Sequence, residues 1–239
     1  MKAVGFWGLR GGVGTTSVVA MVADALQRAG QSVLMIDLNP SDALRLHFNV
    51  PYADSTGWAH AHLAREPWNQ HVFEITENLF LLPYGRSGVP DHSRQVDPAQ
   101  LSWLTELFGL KSTPQWILLD MPCTALQHPL INQSLDMNLM VTCVDAGCHV
   151  LLSQHTIHKG TRLIVNMQDP SRTLCNDLLL EWTSQYRNLI LPVIINRDES
   201  VHESLALKSP VTQAFPASSA AQDAHSLATW LNLHFGQQS

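Results

Sequence analysis

Along the chain, short apolar runs of β character alternate with stretches in which apolar residues recur at helical spacing. The runs cover 3–8, 32–37, 79–83, 116–120, 138–144, 162–166 and 189–196. This rhythm predicts βα units and a mainly parallel central sheet flanked by helices, a three-layer α/β fold. Between the first two runs, Val18, Val22, Ala25 and Ala29 form one apolar stripe, and Gly30 supplies the helix stop. A final helix is expected over 218–235, with Ser218 or Ser219 as its N-cap, Ala224, Leu227 and Leu231 on one face and Trp230 beside them. The stretch 84–98, rich in Gly, Pro, Ser and Asp, reads as a surface loop, because the strand rhythm resumes directly after it. One domain over 1–239 without internal repeats is the expectation.

Composition narrows the function classes. Of 239 residues, 45% are hydrophobic and 14% charged, which supports a substantial core and excludes a disordered, collagen-like or coiled-coil chain. Lys and Arg number 14 against 20 Asp and Glu, a net charge of −6, and the only lysines are Lys2, Lys111, Lys159 and Lys208. Direct binding of nucleic acid or anionic lipid calls for a basic surplus, and no window has one. No Lys or Arg follows Lys208, so the last helix reads as packed on the sheet and not laid on a membrane. No run reaches the roughly 20 apolar residues of a membrane span. Cys123, Cys143, Cys148 and Cys175 form no CxxC pair, and the N-terminus lacks the layout of a secretory signal, so a reduced cytoplasmic setting is expected. The 12 histidines are scattered and suggest no metal site.

Candidate chemistry gathers in Gly8-Leu9-Arg10-Gly11-Gly12-Val13-Gly14-Thr15-Thr16-Ser17, between the first strand and the first helix. Glycines let backbone N–H groups close on an anion, and the helix N-terminus adds its positive dipole end. A hydroxyl at the helix start, here Thr16, can ligate magnesium held by phosphates. A plain glycine turn would look the same in isolation. Two strand-end carboxylates, Asp37 and Asp120, shift the balance, since the carboxyl ends of parallel strands line the crevice where ligands sit. As lone residues each would equally serve as a helix cap or turn former. An acidic residue about 20 positions after a glycine loop also marks dinucleotide enzymes, but the spacing is not GxGxxG and no Tyr is followed by Lys four residues on. A nicotinamide-dependent oxidoreductase therefore stands only as a distant alternative.

These residues resemble the deviant Walker A ATPases of the MinD/ParA type, whose loop reads KGGxGKT/S. The resemblance runs through the whole chain and implies a P-loop NTPase fold binding ATP and Mg2+ between two subunits. It places Gly11, Gly12, Val13 and Gly14 in the phosphate cradle, Arg10 at the intersubunit lysine, Thr15 at the usual P-loop lysine, Thr16 at the magnesium hydroxyl and Ser17 at the following phosphate contact. Asp37 matches the carboxylate after the second strand and Asp120 the Walker B carboxylate. Asn166 matches the residue that reads adenine, and Asn196, Arg197 and Asp198 fall where other base contacts lie. Within the group, Leu44-Arg45-Leu46, Phe48-Asn49-Val50, Gly57-Trp58-Ala59, Val144-Asp145-Ala146, Cys148-His149, Arg197-Asp198-Glu199 and Lys208-x-Pro210-Val211 resemble the cytoplasmic accessory proteins of bacterial cellulose synthase.

Two departures bear on turnover. Thr15 removes a point charge from the phosphates, partly offset by Arg10. Asn39 stands where relatives usually carry an Asp linked to positioning the attacking water, and an amide cannot accept a proton as a carboxylate does. The expectation is an ATP-dependent homodimer with slow or absent hydrolysis, acting through cytoplasmic subunits of the cellulose synthase machinery and reaching the membrane only through them. An active ATPase switch that positions cargo is the alternative.

Overall fold

The computed structural model describes residues 1–85, 101–109, 114–122, 129–158 and 160–237. Its strands are β1 (Lys2–Gly8), β2 (Val33–Asp37), β3 (Phe73–Thr76), β4 (Leu79–Leu82), β5 (Trp116–Met121), β6 (Met137–Cys143), β7 (Thr161–Gln168) and β8 (Ile190–Asn196). Its helices are α1 (Thr15–Arg28), α2 (Trp58–Ala64), α3 (Trp103–Phe108), α4 (Pro129–Ser134), α5 (Ala146–Gln154), α6 (Thr173–Gln185), α7 (Ser200–Ala206), α8 (Val211–Ala214) and α9 (Ser219–Gly236). The strands form one sheet in the order β3-β4-β2-β5-β1-β6-β7-β8, parallel throughout except for the β3–β4 pair. Every residue of β2, β5 and β6 is buried, which is why these strands read as unbroken apolar runs and not as alternating ones.

β3 is an element the apolar runs do not announce. It is four residues long, alternates half-buried with exposed positions, and joins the sheet edge antiparallel with a register shift between Glu74 and Thr76. α1 also departs from the one-stripe expectation. Val18 to Leu26 are buried without interruption, because the helix lies between the sheet and α9, whereas Ala29 is exposed beyond the helix end. Gly30 ends the helix as expected, with φ of 81°. On α9, the Ser218 hydroxyl accepts from the Ala221 N–H at 3.2 Å, and Ala224, Leu227 and Leu231 are fully buried with Trp230 half-buried beside them.

Of the loop expected over 84–98, only Tyr84 and Gly85 belong to the described residues, as do neither Lys111, Lys159 nor Cys123. Cys143, Cys148 and Cys175 are free thiols. The segment after β2 is organised by Arg45, which is fully buried. Its guanidinium donates to the carbonyls of Pro51 at 2.8 Å, Asp54 at 2.5 Å and Thr56 at 2.6 Å and pairs with Asp42 at 3.0 Å. Four oxygens converge on one cation, so a buried charge is matched and an irregular loop gains a fixed shape.

Candidate nucleotide site

At the carboxyl edge of the central strands, the loop from Gly8 to Gly14 turns over the start of α1. Gly12 and Gly14 adopt φ of 78° and 81°, a left-handed backbone that favours glycine. A Cβ on Gly14 would stand 2.6 Å from Asn166 Nδ2, and one on Gly8 would stand 2.8 Å from the Arg10 carbonyl, Thr15 Oγ1 and Val13 Cγ2. The loop wraps a cleft of about 380 Å³ lined by Gly8, Arg10 through Ser17, Asn39, Met121 and Pro122. Its backbone amides and helix N-terminus suit an anion.

Behind this cleft lie two carboxyls. Asp37 and Asp120 occupy paired register positions on β2 and β5, and both are buried. The Asp37 oxygens accept the N–H groups of Asn39 at 2.9 Å and Leu44 at 3.0 Å. Asp120 Oδ2 accepts the Thr16 hydroxyl at 2.6 Å, while its Oδ1 is buried and unpaired. Burial, reinforced by Asp120 and Asp42, pushes Asp37 well above the usual carboxylate range against the pull of those two N–H donors. Burial likewise raises Asp120 to about 6, with the Thr16 hydroxyl acting in the opposite sense. A hydroxyl and two costly carboxyls, one with an orphaned oxygen, form a donor set suited to a hard divalent cation.

Arg10 projects from the loop, its Nη1 donating to the Gly11 carbonyl at 2.9 Å and its Nη2 to Asp145 Oδ2 at 2.5 Å. Asp145 is the N-cap of α5, its Oδ1 accepting the Cys148 N–H at 2.8 Å. Partial burial alone would raise this carboxyl, but Cys148 and Arg10 outweigh it and hold it low. Asn39 folds its Oδ1 back onto the Ser41 N–H at 3.1 Å.

A second cavity of about 240 Å³ adjoins the first through Gly12 and Ser17. Its other lining residues are Met21, Asn166, Met167, Asn196, Arg197, Asp198, Val201 and His202. Asn166 Nδ2 donates to the Val13 carbonyl at 2.8 Å, leaving its Oδ1 as an acceptor. Asn196 and Asp198, although at this cavity, commit polar atoms to the helices around it, Asn196 to α9 and Asp198 to α9 and α7. Asn196 donates through Nδ2 to Asp223 at 3.0 Å, and Asp198 accepts from the N–H groups of Ala220 at 3.1 Å and Ser200 at 3.0 Å. The structure thus brings Arg10 to Ser17, Asn39, Asn166 and the 196–198 loop to two joined cavities, with Asp37 and Asp120 beneath the first.

A sequence model described as cellulose biosynthesis protein BcsQ matches residues 1–231. The chain belongs to the BcsQ family. It is 35% identical over 241 residues to the cellulose biosynthesis protein BcsQ of Salmonella typhimurium, covering 98% of this chain and 95% of that protein. Its fold is that of ParA and MinD P-loop NTPases. A ParA family ATPase from Chlorobium tepidum superposes with a TM-score of 0.77 at 21% identity, covering 97% of this chain and 98% of that one. The septum site-determining protein MinD of Pyrococcus horikoshii, solved with Mg-ADP, superposes with a TM-score of 0.75 at 20% identity over 100% of this chain and 98% of that one.

Within this BcsQ-family chain, Asp145 appears in the sequence only as part of the Val144-Asp145-Ala146 segment, and the fold gives it a partner in Arg10. That partner lies 135 positions earlier, so only folding reveals the pair. The adjacent Cys148 and His149 offer no nucleophile and base. Cys148 is fully buried, and His149 Nδ1 accepts the Trp182 indole N–H at 3.1 Å. Among the described residues no cluster of three or more His, Cys, Asp or Glu has the arrangement of a metal centre, and no helix is long and apolar enough to cross a membrane.

Proposed function

We infer that the chain is an ATP-binding accessory protein of bacterial cellulose synthase, working as a single nucleotide-binding domain that dimerises around ATP and Mg2+ and turns the nucleotide over slowly or not at all. The observation that carries this reading is the glycine cradle whose Cβ-free positions and α1 N-terminus surround the cleft, set directly above Thr16 and the Asp37–Asp120 pair. The residues fit the group. Gly11 to Ser17 would hold phosphates, Thr16 with Asp37 and Asp120 would hold Mg2+, and the free Oδ1 of Asn166 would accept the adenine amino group. Bound Mg2+ would supply positive charge to phosphate oxygens and to the orphaned Asp120 Oδ1.

Arg10 contributes a guanidinium that never deprotonates and can hold phosphate oxygens in bidentate fashion, offsetting the missing lysine at Thr15. Reaching its partner's phosphates requires it to leave Asp145. Asn39 can orient a water but takes no proton from it, and one lone pair of its oxygen is already committed to Ser41. The dimer acts on cytoplasmic subunits of the cellulose synthase machinery through surfaces ordered beyond Asp37, and reaches the inner membrane only through them. Native mass measurement with ATP and Mg2+ tests the reading. The chain should run as a dimer with ATP, and Arg10→Ala should remain a folded monomer. A mutant that dimerises normally would overturn it.

A further inference from the structure

The second cavity is built beside a break in β7. Val165 pairs with Ile194 and Gln168 with Asn196, so β7 takes three steps where β8 takes two, and one extra residue bulges between them. Met167 lies in that bulge with φ of 55°, a left-handed backbone that non-glycine residues seldom adopt. Successive side chains of a regular strand point to opposite faces. Here Asn166 and Met167 both reach the same glycine of the loop below α1: the Cβ that Gly14 lacks would stand 2.6 Å from Asn166 Nδ2 and 2.9 Å from Met167 Cε. Asn166 goes on to hold the loop, donating to the Val13 carbonyl at 2.8 Å. The half-buried side chain of Met167 lines the cavity, and with Met21 of α1 and Val201 of α7 it forms the apolar part of that lining. Asn196 and Asp198, on the polar side, are already committed to the surrounding helices.

We propose that Met167 is a specificity-determining residue for the base half of the nucleotide, its thioether serving as the platform on which a flat aromatic base lies. The inference rests on the nucleotide reading of the two joined cavities and adds a residue to it. Thioethers are polarisable and make favourable contacts with aromatic rings, and this cavity presents two of them, from Met21 and Met167. The left-handed backbone is what makes the arrangement possible. In an unbroken strand Met167 would face away from Asn166, and only one of the two could reach the Gly14 side of the sheet. A strained conformation of this kind persists where the surrounding structure enforces it, and such positions cluster at ligand sites. Asn166 thus supports the phosphate loop while its neighbour supports the base, so Met167 adds affinity for the base and none for the triphosphate.

The test titrates the full chain, with Mg2+, against ATP and against inorganic triphosphate, which has no base. Met167→Gly and Met167→Asn both suit a left-handed backbone and remove the thioether, so the bulge and the Asn166 bond survive in each. In both variants ATP should bind at least about tenfold more weakly, while triphosphate should change by less than about twofold. Met167→Leu, close in volume and apolar, should recover most of the loss. Binding of triphosphate at wild-type strength also reports that each variant is folded. Variants that bind ATP like the wild type would overturn the proposal. So would equal weakening of ATP and triphosphate, which would make Met167 a support of the phosphate loop alone. A wild-type chain that binds neither ligand would overturn the nucleotide reading itself, and the proposal with it.

Discussion

Asp145 uses its two oxygens for different tasks: Oδ2 holds Arg10 at 2.5 Å while Oδ1 caps α5 through the Cys148 N–H at 2.8 Å. The ion-paired side chains are 37% and 38% exposed, so solvent screens the pair and little stability rests on it. The cap is the larger structural contribution. Asp145→Ala should lower unfolding free energy by about 1 kcal/mol, and Asp145→Ser, which keeps a capping oxygen, should restore most of it. Urea denaturation checks this, and equal loss in both variants would contradict the division of labour.

Asp120 should make the nucleotide-free protein less stable as pH rises. The folded carboxyl keeps its proton to about pH 6, whereas the unfolded one releases it near the ordinary aspartate value of 3.8. The native state therefore binds more protons in that window, and stability present at low pH is lost as pH rises through 6. Between pH 5 and 7 the Asp120 contribution is on the order of 1 kcal/mol, so the loss should shrink in Asp120→Asn without vanishing, because burial still raises Asp37. The comparison is the pH 5 to pH 7 difference in unfolding free energy, measured without Mg2+ in both proteins.

The glycines of the loop are not equivalent. Gly14→Ala puts a Cβ at φ of 81°, 2.6 Å from Asn166 Nδ2 and 2.9 Å from Met167 Cε, and should weaken ATP at least about tenfold in calorimetric titration. A Cβ on Gly11 meets nothing within 4 Å, so Gly11→Ala should unfold at the wild-type temperature. Equal ATP affinity in Gly14→Ala and wild type would contradict the cradle.

How much of this was legible before folding depended on where each signal was stored. β2, β5 and β6 are buried on both faces, so their apolar runs stand out, and the Gly8–Ser17 loop and the Ser218 cap are local in sequence. β3 is short, half-buried and at an edge, so four alternating residues carry almost no pattern. Arg45 works through backbone carbonyls that leave no mark on side-chain identity. Asn196 and Asp198 line the second cavity, yet Asn196 and one Asp198 oxygen bond to α9 and the other Asp198 oxygen to the start of α7, which no strand-end position reveals.

Asn39→Asp should convert a holder of ATP into a faster hydrolase. The carboxylate gains the proton-accepting capacity that Asn39 lacks, and steady phosphate release should rise by at least about tenfold. An unchanged rate would place the block elsewhere, at Thr15.

The central claim is that the wild-type chain keeps ATP intact between two subunits. Incubating it with ATP and Mg2+, isolating the dimer by size and counting phosphates on the extracted nucleotide tests this most directly. The account predicts two intact triphosphates per dimer after many minutes. Dimers holding only diphosphate, or triphosphate recovered from monomers alone, would contradict it.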